Sequence, residues 1–222
     1  MVPGRPWVLL DMVASLDGAT TVEGRSSGLG DDDDIAMFKA LRAVPDVILV
    51  GAGTARAEDY GPVRLDEASR ERRRALGKED LPRLAVVTGR LDLDPDARLF
   101  SNPENPTIVI TGPAADPDRR LAMEAVAELV VLDDLNVEAV VAFLGRAEVI
   151  LCEGGPGINS QLAAAGLIDE VNLTVAPLMV GGVSKRIVEG VPVDPLIDMD
   201  LDRILSGDRS LFFRYLRSVE LG

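Results

Sequence analysis

The segment Glu153-Gly154-Gly155-Pro156-Gly157 comes directly after the apolar run Val149-Ile150-Leu151-Cys152, without a spacer. Glycines carry no Cβ, so they turn sharply and let a ligand lie against bare backbone. Pro156 suits a first helical position, where its missing N–H costs nothing. The free N–H groups and positive dipole end of the next helix suit a phosphate or pyrophosphate, although a plain strand-to-helix turn leaves the same trace. A second turn, Gly51-Ala52-Gly53-Thr54, closes the run Val47-Ile48-Leu49-Val50. Two glycine turns at strand ends suggest a dinucleotide. They do not make a Rossmann fingerprint: Arg56 stands where the third glycine belongs, and the segment beyond is a charged excursion instead of a second strand ending in an acid.

What the chain lacks narrows the chemistry. It has no histidine, which removes imidazole as base, metal ligand or pH switch, and with it the Ser-His-Asp and Cys-His mechanisms. The net charge of −14 offers no basic stripe for nucleic acid. An anionic ligand must then be held by a few local arginines and backbone amides. A single cysteine, Cys152, excludes an internal disulfide and is consistent with a reducing compartment. Met1 to Pro6 carries no secretory apolar region, and no apolar run reaches the ~18–20 residues of a membrane span. The expectation is a soluble, cytoplasmic protein.

The elements that must position these turns read as alternating strands and helices. Strands are expected over 7–13, 47–50, 84–88, 107–111, 129–132, 147–152, 171–175 and 211–216, the last as an antiparallel edge. Helices are expected after Asp31–Asp34, over 117–128 and 137–144, and from Ile158 to a stop at Gly166. The four acids 31–34 read as a cap and first turn near the positive dipole end, with a cation site as the sharper alternative. Residues 20–30 are a loop, and 64–82, with Arg70 and Arg72–Arg74, a solvated helix or excursion. The pattern over residues 1–222 is one α/β sandwich domain with a mostly parallel mixed sheet flanked by helices.

Taken in order, Ser15-Leu16-Asp17-Gly18, Gly24-Arg25-Ser26, Leu41-Arg42-Ala43, Val50-Gly51-Ala52-Gly53-Thr54, Arg56-Ala57-Glu58-Asp59, Glu153-Gly154-Gly155-Pro156, Leu167-Ile168-Asp169-Glu170 and Ala176-Pro177-Leu178-Met179-Val180-Gly181-Gly182 resemble the reductase domain of bacterial riboflavin biosynthesis. The resemblance runs from about residue 7 to 217 and implies a dihydrofolate-reductase-like three-layer sandwich. The zinc deaminase module of the bifunctional proteins is missing, since its histidine and cysteine pair are absent. The chain is therefore similar to the stand-alone, single-domain reductases.

The resemblance implies NADPH as cofactor and hydride transfer to C1′ of a ring-opened ribosylamine, in 5-amino-6-(5-phosphoribosylamino)uracil or a close pyrimidine analogue. It places Gly154, Gly155, Pro156, Gly157, Ile158 and Asn159 around the pyrophosphate, beside the turn of Gly51 and Gly53. Thr54 and the backbone at Val13 fall at the nicotinamide, Glu58 at its ribose, and Thr88 and Arg90 at a 2′-phosphate. Ser26, Arg42 and Arg64 fall at the substrate phosphoribosyl group, and Glu153 borders the substrate. Arg42 has a plainer reading as a helix arginine satisfied by the acids at 31–34. A proton donor is drawn from Asp11, Asp17 and Glu153, or an ordered water. A homodimer joined through strands near the C-terminus is also implied.

Three positions depart from the family pattern. Glu58 replaces an aspartate, Gly28 a tryptophan, and Asp11 a lysine near the substrate. A carboxylate there reverses the local field and favours a donor-rich heterocycle such as a diaminopyrimidine or a pterin. Asp11 therefore keeps open a pterin or dihydrofolate reductase on the same scaffold. A nucleotide-binding module without catalysis is the third reading.

Overall fold

A computed structural model describes residues 4–218; Met1, Val2 and Pro3 of the N-terminal stretch lie outside the described residues. Its centre is β1 (Trp7–Ser15), flanked by β6 (Val149–Cys152) and β7 (Glu170–Ala176), both parallel to it. Beyond β6 lie β2 (Val47–Gly51), β3 (Arg83–Val87), β4 (Ile108–Thr111) and β5 (Glu128–Val131), all parallel. Beyond β7 the chain reverses: β9 (Leu211–Arg217) pairs antiparallel with β7, and β8 (Met199–Ser206) antiparallel with β9. Among the described residues these nine strands form one sheet, in the order β5-β4-β3-β2-β6-β1-β7-β9-β8.

The continuous apolar strands sit where both faces are covered, as parallel strands must. Val8, Leu10, Leu49 and Ile150 face the helices α5 (Val137–Phe143) and α6 (Pro156–Ala164), where Val140, Val141 and Leu162 close the layer. The opposite faces, with Leu9, Ile48, Val50 and Leu151, meet Ala52 and Ala55 of α2 (Ala52–Ala57) and Leu41 of α1 (Asp32–Arg42). This two-sided burial holds the strand tips in register, so the turn leaving each tip is fixed in space.

Three features differ from expectation. The last strand is not the edge: β8 lies outside it, and its side chains are almost all exposed. Its mixed pattern, Met199-Asp200-Leu201-Asp202-Arg203, carries neither clean alternation nor an apolar run, and a bulge falls between Leu201 and Arg203. Residues 52–57 form a short helix of their own where the sequence showed only the glycine turn that closes the strand. The charged stretch contains α3 (Glu67–Ala75), but Arg73 on it is buried, 1% exposed, and is not solvated. Its guanidinium donates to the carbonyls of Pro45 (2.6 Å), Ala43 (3.1 Å) and Glu79 (2.7 Å), tying the turn before β2.

Candidate active site

Helices α1, α3, α4 (Pro117–Glu124) and α5 begin on an Asx cap: Asp31, Asp66, Asp116 and Asn136 each accept a backbone N–H of the first turn, and each helix carries an acid there. For α1 this is the reading made from the four acids, and no His/Cys/Asp/Glu group suited to a metal occurs among the described residues. Helices α2 and α6 break the pattern. Their caps are Gly51 and Gly155, with no side-chain cap bond and no acid in the first turn. In a strongly acidic chain, both leave positive dipole ends unneutralised by protein.

The two glycine turns touch. Gly51 N donates to Gly154 O at 2.8 Å across β2 and β6. Gly154 takes φ +91°, a conformation open to glycine, and its bond to Gly155 is cis. A Cβ on Gly155 would meet Thr54 Oγ1 at 2.6 Å, whereas Gly53 and Gly157 face open space. Close approach is thus required at one glycine, and bare backbone is presented at two others.

These turns form one wall of a cavity of about 1030 Å³ at the carboxyl ends of the parallel strands. Its lining includes Asp11, Val13, Ser26, Gly51, Gly53, Thr54, Glu58, Thr88, Arg90, Glu153, Gly155, Pro156, Gly157 and Ile158. Glu153 is held hard. Arg42 Nε donates to Oε1 at 2.7 Å, Arg42 Nη2 to Oε2 at 2.6 Å, and the Tyr60 hydroxyl to Oε2 at 2.7 Å. The Arg42 guanidinium also lies over the Phe38 ring, 4.1 Å from its centroid. Burial and the adjacent Glu153 carboxylate raise Tyr60 well above the ordinary phenol range, so it stays a donor. Asp11 lies on β1 beside Glu153. Burial first, then Glu153 and Asp34, push its carboxyl well above the usual range, and Arg42 opposes them.

The RibD C-terminal domain family model matches residues 6–211. The chain belongs to that family. A protein from Archaeoglobus fulgidus named 2,5-diamino-6-ribosylamino-4(3H)-pyrimidinone 5′-phosphate reductase is 33% identical, over 80% of this chain and 83% of its own. One of the same name from Methanothermobacter thermautotrophicus is 30% identical, over 95% and 98%. A pyrimidine reductase-like protein from Corynebacterium diphtheriae superposes with a TM-score of 0.86 at 29% identity, covering 98% and 94% of the two chains. Dihydrofolate reductase from Enterococcus faecalis, at 13% identity and a TM-score of 0.61 over 96% and 97%, shares the fold. The dihydrofolate-reductase-like sandwich expected from the motifs is therefore the architecture of this RibD C-terminal domain.

Not every residue that the motifs suggested faces the cavity of this RibD domain. Asp17 does not line it. Its carboxylate accepts from Val180 N (3.2 Å), Gly181 N (2.7 Å) and Ser15 Oγ (2.5 Å), and these bonds lower it to about 2. It latches the turn after β1 to the loop after β7 and is in no state to donate a proton. Arg64 is exposed between buried Val63 and Leu65, outside the lining. Arg42 spends its fork on Glu153 instead of the acids at 31–34 or an open phosphate site. Gly154 and Asn159 lie behind the wall; Asn159 is fully buried and donates to Ile187 O at 2.7 Å. Glu58 accepts from Ser26 N at 2.6 Å, which ties the expected ribose contact to the expected phosphate contact. Gly28 lies close against Val22, 3.0 Å from where its Cβ would stand, so Val22 occupies space that a side chain at 28 would need.

Several lining residues had no signal in the motifs. Asp34 and Phe38 come from the helix read at and after the four acids, and Tyr60 from the stretch just past the Arg56–Asp59 motif. Ser184 and Lys185 come from the irregular segment 177–198, which is pinned over the α6 N-terminus by Thr20, Asn159 and Ser160. Ser184 Oγ is buried with no hydrogen-bond partner among the described residues. Spacing of four along α1 could have marked Phe38 as a neighbour of Arg42, but nothing local marks Tyr60 or Ser184.

Proposed function

We propose that the chain is a reductase that uses a nicotinamide cofactor, NADPH, to convert the ribosylamino group of a pyrimidine ribosylamine 5′-phosphate into a ribitylamino group. The substrate reading covers 2,5-diamino-6-ribosylamino-4(3H)-pyrimidinone 5′-phosphate and 5-amino-6-(5-phosphoribosylamino)uracil. The observation that carries it is the contact between the two glycine turns beside a cavity that also holds Glu153 and Asp11. The wall suits a dinucleotide: open space at Gly53 and Gly157, an acid-free α6 N-terminus, and a volume at the upper end of small-molecule sites. Gly155, Gly157 and the α6 N-terminus would hold the pyrophosphate, with Thr54 and Val13 at the nicotinamide. Thr88 and Arg90 would take a 2′-phosphate.

When bound, the cofactor supplies hydride. The protein supplies position and field. Glu153, immobilised by Arg42 and Tyr60, is a fixed negative charge that can steady positive charge developing on a ring-opened ribosylamine. Asp11 keeps its proton to higher pH than an ordinary carboxyl and is the cavity group suited to deliver one to the departing ring oxygen. Holding the two carbons about 3–3.5 Å apart converts binding energy into rate. With Arg64 turned out and Arg42 engaged, the phosphate falls to Ser26, Ser184 and Lys185. Assembly as a homodimer through the C-terminal strands, and a cytoplasmic setting, belong to the same reading.

The test is consumption of NADPH by the purified chain with each pyrimidine and with dihydrofolate. Turnover of a pyrimidine supports the reading. Turnover of dihydrofolate alone, or NADPH binding without turnover, overturns it.

A further inference from the structure

A second, smaller cavity of about 420 Å³ lies on the other side of α1, and Asp11 lines both. Helix α1 is the partition between them. Its Asp34 and Phe38 line the main cavity, whereas Met37, Leu41 and, just past its end, Val44 line the smaller one. Both ends of the partition are bolted. Asp31 accepts from the Ser210 hydroxyl and Asp33 from the backbone N–H of Asp208, each at 2.7 Å, and Arg42 closes on Glu153 at the other end. The smaller cavity reaches the surface at Val44, Arg203 and Leu205, all exposed. Its deep end is polar: Asn172 is the register partner of Asp11, and the Thr174 hydroxyl donates to Asp34 across the partition.

We propose that the smaller cavity is the proton inlet of the site, returning a solvent proton to Asp11 from behind while substrate and cofactor fill the main cavity. The inference rests on the reductase reading, with Asp11 as proton donor, and assigns the route by which that proton is replaced. Ring opening breaks the bond between C1′ and the ring oxygen; the oxygen keeps the electron pair and takes the Asp11 proton. The iminium carbon left behind takes hydride. Each turnover therefore consumes one hydride and one proton and leaves Asp11 ionised. A filled main cavity is closed to water. The charged groups facing Asp11 are Glu153, Asp34 and Arg42 on that side, and Glu170, Arg203 and Arg214 behind. Arg42 is already committed to Glu153, so an ionised Asp11 meets two neighbouring carboxyls and is driven to regain its proton. The smaller cavity is the side left open, and it is polar enough at its deep end to hold a chain of waters. Its own acid does not compete: Glu170 accepts two bonds of 2.8 Å from Arg214 and one of 2.9 Å from Asn172.

The experiment plugs the mouth of the smaller cavity from either side, with Val44→Trp and Leu205→Trp. Both positions lie outside the main cavity and are exposed, 47% and 46%, so an indole is accommodated without repacking the core. Cofactor oxidation and proton uptake are followed together in weak buffer, by NADPH absorbance and a pH indicator, with the diaminopyrimidinone substrate. The wild type should take up one proton with each NADPH oxidised, without lag. In each plugged variant the first turnover should keep the wild-type rate, because Asp11 is loaded before mixing. Proton uptake should then lag, and later turnovers should slow by at least about fivefold, giving a burst of one equivalent per site. A second readout needs no turnover. With oxidised cofactor bound, the Asp11 carboxyl stretch, assigned by its loss in Asp11→Asn, should follow a pH jump promptly in the wild type and late in the plugged variants. Equal loss of first-turnover and steady-state rates, the mark of a merely structural effect, overturns the inference and leaves the reductase reading intact. So do unchanged kcat and prompt uptake in both variants. No NADPH oxidation by the wild type overturns both.

Discussion

Arg42, the last residue of α1, and Glu153, the first residue after β6, meet through two parallel hydrogen bonds of 2.7 and 2.6 Å. The carboxylate is 2% exposed and the guanidinium 16%. This pair joins the helix layer to the strand tip from which the second glycine turn departs, and Tyr60 completes it from the segment after α2. The carboxylate held most firmly at the site is thus also a joint of the fold.

Removing the cation should therefore cost more than the pair is worth. Arg42→Met leaves Glu153 buried and unpaired, and should destabilise the chain by about 3–5 kcal/mol in denaturant unfolding. Arg42→Lys should recover little, because a point charge cannot serve both oxygens and stack on Phe38. Tyr60→Phe removes one bond to a charged group and should cost about 2 kcal/mol. A loss below about 0.5 kcal/mol in Arg42→Met would show that water replaces the guanidinium freely.

The contact between the glycine turns is testable by a double-mutant cycle. Gly155→Ala drives a methyl group to 2.6 Å from Thr54 Oγ1 and should cost about 1–3 kcal/mol by overpacking. Thr54→Ala removes that oxygen. The double variant should be less destabilised than the sum of the singles, by at least about 0.5 kcal/mol. Additive effects would mean the turns are not packed against each other.

How far the sequence carried this picture is visible in particular residues. Val47–Val50 and Val149–Cys152 were legible because two-sided burial leaves an unbroken apolar run, and the second glycine turn because Gly154 and Gly155 stand where a side chain would not fit. The Arg42–Glu153 pair was not legible. Its partners are separated by 111 positions, and the acids at 31–34 offered a nearer partner for Arg42 that the fold does not use. Arg73 misled for the same reason, since its acceptors are backbone carbonyls, which leave no compositional trace. The edge strand β8 hid because exposed strands need no apolar side.

Lys185 should matter to substrate and not to cofactor. Its backbone is held by Thr20, at 3.0 Å, and its side chain is exposed on the cavity wall. Lys185→Ala should raise KM for the phosphorylated pyrimidine about tenfold, the loss of one charge-assisted contact, with little change in kcat. The dephosphorylated analogue should not distinguish the variant from the wild type. Equal effects on both would remove the phosphate role.

Asp17 provides a pH signature. Its carboxyl is lowered to about 2, chiefly by Ser15 and then by the amides of Gly181 and Val180. A depressed carboxyl contributes fully above the ordinary range near ~4 and is lost as pH falls through its folded value. The Val180 and Gly181 amide resonances should therefore shift with a midpoint near 2. Asp17→Ala should speed exchange of both amides at neutral pH. A midpoint in the ordinary carboxyl range would dissolve the latch.

The most direct measurement tracks the hydride itself. NADPH carrying deuterium at the transferable C4 position is incubated with the chain and 2,5-diamino-6-ribosylamino-4(3H)-pyrimidinone 5′-phosphate, and the product is read by mass spectrometry and NMR. The account predicts one deuterium at C1′ of a ribitylamino product. Label retained on the cofactor, or found only on a reduced pterin in a parallel reaction, would contradict it.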